Sequence, residues 1–211
     1  MKQYQKMYHG ERFNSYTHLL GIILACVGAS LLLAIGIEKS DSTRIIAFSV
    51  YGAIQILLYS ISTIYHSTKG EKKKFFQLLD YLSIYLMIAG SYTPFTLLVL
   101  PGIWGWLLFG IVWALALVGI AQELLIGKKT RKFSIIIYLI MGWLVMVAIK
   151  PLINSLPFHG FLWIASGGLA YTLGVGFFLL DEKIKHFHGI WHICVMLGGF
   201  CQFVCLYKYV A

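Results

Sequence analysis

Charge is what this chain has least of. Only 12% of its 211 residues are charged, against roughly a quarter in a soluble domain. That scarcity excludes a soluble fold for the bulk of the chain. There is no low-complexity segment and no convincing internal repeat. The four cysteines, Cys26, Cys194, Cys201 and Cys205, lack the paired spacing of a metal knuckle. All fall within apolar runs and are expected to pack as small side chains. Short alternating segments of the kind that build an outer-membrane barrel are missing too. The first apolar stretch has no small-residue cleavage pattern before Glu38, so it reads as a retained helix and not as a signal peptide.

What remains is apolar length. Hydrophobic residues make up 59% of the chain, and the mean hydropathy is +0.80. A spanning helix needs about 20 apolar residues. Seven such stretches are predicted, at approximately 17–37, 44–66, 76–99, 103–125, 133–151, 160–180 and 189–208. The expected fold is an all-α integral membrane protein, a seven-transmembrane helix bundle with a polar leader over 1–16 and a single membrane domain over 17–211. Connections are short. Glycines such as Gly21, Gly28, Gly167, Gly168, Gly174, Gly176, Gly198 and Gly199 are expected to let helices approach closely. Pro94 should kink the third span, because it lacks an amide donor and crowds the preceding turn.

The net charge of +9 does not point to nucleic acid once its placement is considered. Thirteen cations, Lys2, Lys6, Arg12, Lys69, Lys72, Lys73, Lys74, Lys128, Lys129, Arg131, Lys132, Lys183 and Lys185, fall on one side of the seven spans. Four, Lys39, Arg44, Lys150 and Lys208, fall on the other. The positive-inside rule then puts the N-terminus in the cytoplasm and the C-terminus outside.

That topology sorts the ionisable residues. His66 closes the second span at its cytoplasmic end, Asp80 lies near the start of the third, and His188 and His192 open the seventh. All four groups are expected at one depth. His188 and His192 are four apart, on one helical face, the spacing two helical histidines use to hold one metal. Ser62 precedes His66 by four and shares its face, one turn deeper. It can hydrogen-bond that histidine, a water or a substrate carbonyl. Ionisable groups inside a membrane are costly and tend to mark function. Three imidazoles with a carboxylate suit a transition metal, with zinc as the expected cofactor. A hydrogen-bonded polar cluster without metal is the competing reading. His9 and His159 are placed out of reach, His186 lies in the loop before the seventh span where the i, i+4 spacing prefers His188 with His192, and Glu123 reads as a helix-end charge close to Lys128. His18 has the correct depth to support the cluster, or to be an ordinary interfacial histidine.

At these residues the chain resembles the hemolysin III branch of the progestin and adipoQ receptor family, which includes the adiponectin receptors. Glu11-Arg12-Phe13-Asn14-Ser15-Tyr16-Thr17-His18 is similar to that branch's opening motif. Ser62-x-x-x-His66, Asp80 and His188-x-x-x-His192 are similar to the signature of the wider superfamily, shared with alkaline ceramidases. The resemblance covers essentially the whole chain. It implies a seven-helix bundle of the bacterial plasma membrane with zinc near the cytoplasmic face. The implied ligands are His66, His188 and His192, with Asp80 reaching the metal directly or through a water and Ser62 beside it. Relatives are linked to hydrolysis of lipid amides such as ceramide, and this branch bears a cytolytic label. The long soluble N-terminal region of the animal receptors has no counterpart here, so hormone recognition is not expected.

The expected function is a metal-dependent hydrolase of a membrane lipid amide or ester. Zinc would be its cofactor, Asp80 would orient or deprotonate water, and Ser62 would steady the oxyanion. The alternatives are a lipid sensor or regulator stapled by structural zinc, and a cytolysin. A proton-coupled transporter is a further one, since buried Asp–His groups also serve as proton relays. A membrane lipid is the expected partner in the first two.

Overall fold

The structure is a computed structural model that describes residues 11–126 and 131–211. Lys2, Lys6, His9, Lys128 and Lys129 lie outside the described residues, as do the side chains of Arg131 and Lys132. Among the described residues there are helices and no strand. They are α1 (Glu11–Glu38), α2 (Ser42–Ser67), α3 (Glu71–Leu98), α4 (Gly102–Ile126), α5 (Arg131–Trp143), α6 (Ile149–Ser155), α7 (Phe158–Leu180) and α8 (Phe187–Cys205). Seven segments are long and apolar enough to cross a membrane, with α5 and α6 forming one of them and α8 extended to Val210 in another. Each coincides with an expected span. The largest shift is at the N-terminus, where α1 begins at Glu11 and not near residue 17. The last six residues of the expected leader are therefore helical.

Neighbours in sequence are neighbours in space: α1 lies along α2, α2 along α3, α3 along α4, and α7 along α8. The ring closes where α8 meets α1. Of the seven, α3 is the most enclosed, with 56% of its apolar window buried, and Asp80, Ser83, Ser91, Thr93 and Thr96 are buried within the protein. Short turns fix the register. Asp41 caps α2 by accepting from the Arg44 amide at 3.0 Å, and that bond, then the Arg44 guanidinium, holds its carboxyl below the ordinary range. Gly70 and Gly102 start α3 and α4 with φ of +69° and +52°, a left-handed backbone that glycine adopts without a Cβ clash.

Close packing through small residues holds at most of the expected positions. Gly21 meets the Tyr59 ring, Gly28 meets Phe203, Gly174 meets Trp191, and Gly198 meets Tyr171. Gly168 and Gly176 do not follow, since a methyl at either would meet open space.

α3 is helical through Pro94, and the fifth span is interrupted by a tight 3-10 stretch over Leu144–Ala148. Pro151 provides the reason, because it has no amide to offer the carbonyl of Val147. Tyr92 of α3 patches the strained backbone. Its hydroxyl donates to the Gly142 carbonyl at 2.9 Å and accepts from the Val145 amide at 3.0 Å. Glu123 lies near the inner end of α4, as expected, but it is buried, 5% exposed, and accepts a hydrogen bond from Ser134 of α5; Lys128, its expected neighbour, lies outside the described residues.

Candidate metal centre

The end of the bundle that carries Lys69–Lys74 and Lys183–Lys185 gathers the histidines. His66 arrives on the last turn of α2, and His188 and His192 on the first two turns of α8. One ring nitrogen from each of the three lies within 4.8 Å of the others. The rings stand in a near three-fold propeller. Their centroids are 5.0, 4.9 and 4.8 Å apart, with interplanar angles of 62°, 64° and 63°. Edge-on imidazoles around a common axis are what one cation requires of three nitrogen lone pairs.

Each ring is oriented by a bond at Nδ1, which leaves Nε2 for the centre. His66 Nδ1 lies 2.6 Å from the Glu11 carboxylate of α1. His188 Nδ1 lies 2.7 Å from Asp181, at the end of α7. His192 Nδ1 lies 3.0 Å from the Asn14 carbonyl and 3.2 Å from the Thr17 hydroxyl. Ligating histidines usually donate their second N–H to a carboxylate or carbonyl, which fixes the tautomer. Nε2 of both His66 and His188 is buried without a protein partner. Buried polar atoms are seldom left so, and a metal would satisfy both. The residues present therefore fit a zinc ion held by three imidazoles.

The network continues outward. Glu11 also accepts from Lys73 Nζ at 2.9 Å, and that ammonium lies 4.4 Å from the centre of the Tyr65 ring. Glu11, Asn14 and Thr17 all project from the opening turns of α1. This is why the helix starts early: its first turns are a buried wall of the site.

Asp80 and Ser62 occupy a second layer. Both are buried, and the Asp80 carboxylate lies near Ser62, His66 and His188. Asp80 stands outside the trio of clustered ligand atoms. It lines, with Ser62, His18 and His192, a cavity of about 450 Å³ between α3, α5, α7 and α8. The cavity walls are otherwise mainly apolar and reach Phe95, Leu100, Leu108 and Leu152. Asp80 to Thr96 alone covers roughly 24 Å of α3, at about 1.5 Å per residue. His159, by contrast, sits at the opposite end of the bundle, on the first turn of α7. His186 caps α8 in a left-handed conformation, φ +69°, against Phe13 and outside the trio.

Sequence reasoning missed the partners that aim the rings: Glu11, Asn14, Thr17, Lys73 and Asp181. The available signal was the i, i+3, i+7 spacing of Glu11, Asn14 and His18, which defines one helical face. That face packs on Gly189, where an added methyl would run into the Phe13 ring and come within 3.0 Å of Asn14 Oδ1. Gly189→Ala is therefore expected to push α1 off α8 and weaken zinc binding by about ten-fold or more. Gly176→Ala, facing open space, should leave it unchanged. A zinc competition titration of the two variants checks both.

Comparison with known proteins adds a family. The haemolysin-III-related family model matches residues 6–203. "Hemolysin-3" of Bacillus cereus is 42% identical over 198 residues, covering 93% of this chain and 90% of its own length. The "Hemolysin-3 homolog" of Bacillus subtilis (strain 168) is 37% identical over 197 residues, covering 93% and 92%. The human "Monocyte to macrophage differentiation factor" is 30% identical over 203 residues, covering 93% and 83%.

Proposed function

This chain belongs to the haemolysin-III-related family of multi-pass membrane proteins, and on that premise we propose that it is a zinc-dependent hydrolase of a single-chain lipid amide or ester. One observation carries the reading: the histidine trio adjoins a long apolar cavity whose inner end presents a carboxylate and a hydroxyl. Apolar walls suit an acyl chain. The polar end suits the bond to be cut. The lysine-rich end would face the cytoplasm by the positive-inside rule, so the substrate would come from the inner leaflet.

His66, His188 and His192 would hold the zinc. When bound, it supplies a Lewis acid that polarises a carbonyl and acidifies water. Asp80, on the cavity wall, accepts the proton of the attacking water and returns it to the leaving group. Ser62 donates a hydrogen bond to the carbonyl oxygen as negative charge develops there. The apolar walls exclude bulk water and fix the acyl chain, so that the carbonyl sits beside both groups.

A second reading, zinc as a structural staple in a lipid sensor, draws on a different observation. Of the three rings, only His192 lines the cavity, and His66 and His188 hold their free nitrogens in buried positions. One experiment separates the two. Purified zinc-loaded protein in detergent is incubated with a broad panel of lipid amides and esters, with and without chelator. Turnover that needs zinc, and that disappears in Asp80→Asn with the metal retained, is expected. No metal-dependent product from any lipid would leave the staple as the function of the centre. Direct lysis, which the names of the bacilli relatives evoke, finds little support, because the outward faces of α1, α4 and α7 are lined by exposed leucine, isoleucine, valine, tryptophan and phenylalanine. Liposomes loaded with dye are expected to stay intact.

A further inference from the structure

Resting on the proposal that the cavity takes a lipid amide or ester, we infer that His18 is the residue that recognises the ligand's polar head. His18 is 3% exposed, yet neither of its ring nitrogens has a hydrogen-bond partner in the protein. An imidazole offers one donor and one acceptor when neutral, and leaving both buried and unmet is costly. The residue nevertheless lines the large cavity, as do Ser62, Asp80 and His192, and its ring lies against that of His192. A polar group entering the cavity at His18 would supply the partner that its nitrogens lack in the protein.

The geometry separates His18 from the metal cluster it adjoins. Its ring lies flat on His192, with centroids 3.6 Å apart and planes within 8°. The lone pairs of an imidazole lie in the ring plane. An ion in the plane of His192 is therefore displaced by about the stacking distance from the plane of His18, outside the reach of its nitrogens. Tyr59 packs against His18 at 5.0 Å, and Gly21, one turn along α1, keeps that tyrosine close. The ring is held in place by aromatic contacts while its nitrogens stay without a protein partner. A rigid donor in the same cavity as Ser62 and Asp80 suits a carbonyl or hydroxyl at the head of an acyl chain. The wall is otherwise mainly apolar, with residues such as Ile84, Met87 and Phe95, and suits the chain.

The test uses binding, so it does not depend on catalysis. Palmitoyl amide and hexadecane are titrated into zinc-loaded wild type and His18→Phe, with intrinsic fluorescence as the readout, since Trp191 also lines the cavity. Phenylalanine keeps the aromatic stack and removes both nitrogens. Wild type is expected to prefer the amide by about ten-fold or more, the scale of one buried hydrogen bond. His18→Phe should lose that preference while keeping its zinc and its affinity for hexadecane, and His18→Gln, with donor and acceptor restored, should recover part of it. If His18→Phe does not fold, His18→Leu is read in its place. A preference that survives removal of the nitrogens overturns the assignment. So does loss of zinc together with ligand, or a wild type that does not discriminate between the probes. Failure of the hydrolase reading looks different: wild type prefers the amide, His18→Phe loses that preference, and no product forms.

Discussion

His66→Ala is expected to strip the protein of zinc and to cause one of the largest losses of thermal stability available to a single substitution. Three imidazoles converge from two helices, so removing one leaves only the His188–His192 pair on α8. The ion would then no longer tie α2 to α8. Metal that binds only the folded state stabilises it by mass action, about 4 kcal/mol when free zinc stands at 1,000 times Kd. Elemental analysis should give roughly one zinc per chain in wild type and under a tenth of that in the variant. A chelator should lower the unfolding temperature of wild type and leave that of His66→Ala unchanged, because the variant has nothing to lose. Equal metal content in both proteins would remove the centre from consideration.

That expectation was within reach of the sequence because two simple quantities located the histidines. Apolar length gave the seven spans, and the lysine bias gave each span a direction, so His66, His188 and His192 fell on one level. The early turns of α1 were harder to read. Glu11, Asn14 and Thr17 are polar, and polar residues before an apolar run look the same whether they meet water or bury against another helix. Only their partners on α2 and α8 decide the matter. Glu123 shows the same ambiguity: its burial depends on α5 bringing Ser134 across. The break in the fifth span had a visible cause in Pro151. Asp80 is expected at the depth of the trio; it stands outside their clustered ligand atoms and lines the adjoining cavity. Its position on the cavity wall, near Ser62, depends on how α3 packs inside the ring of helices, which spacing along one chain does not contain.

Glu11 carries the second large effect, through a residue that never touches the metal. Its carboxylate accepts from His66 on one oxygen and from Lys73 on the other, at 2.6 and 2.9 Å. Glu11→Ala removes the anchor that fixes the His66 tautomer, and changes of this kind typically cost 10–100-fold in metal affinity. Glu11→Gln keeps an oxygen that can accept from Nδ1 but gives up the charge, so an intermediate loss is expected. Lys73→Met should cost least. The lysine side chain is 26% exposed, where ion pairs contribute little, and Glu11 would keep its bond to His66. The expected order of loss, measured by competition with a chromogenic zinc chelator, is therefore Glu11→Ala, then Glu11→Gln, then Lys73→Met. Should Lys73→Met weaken zinc as much as Glu11→Ala, the balance of buried charge would govern the site. Orientation of the His66 ring by Glu11 would then be the wrong cause.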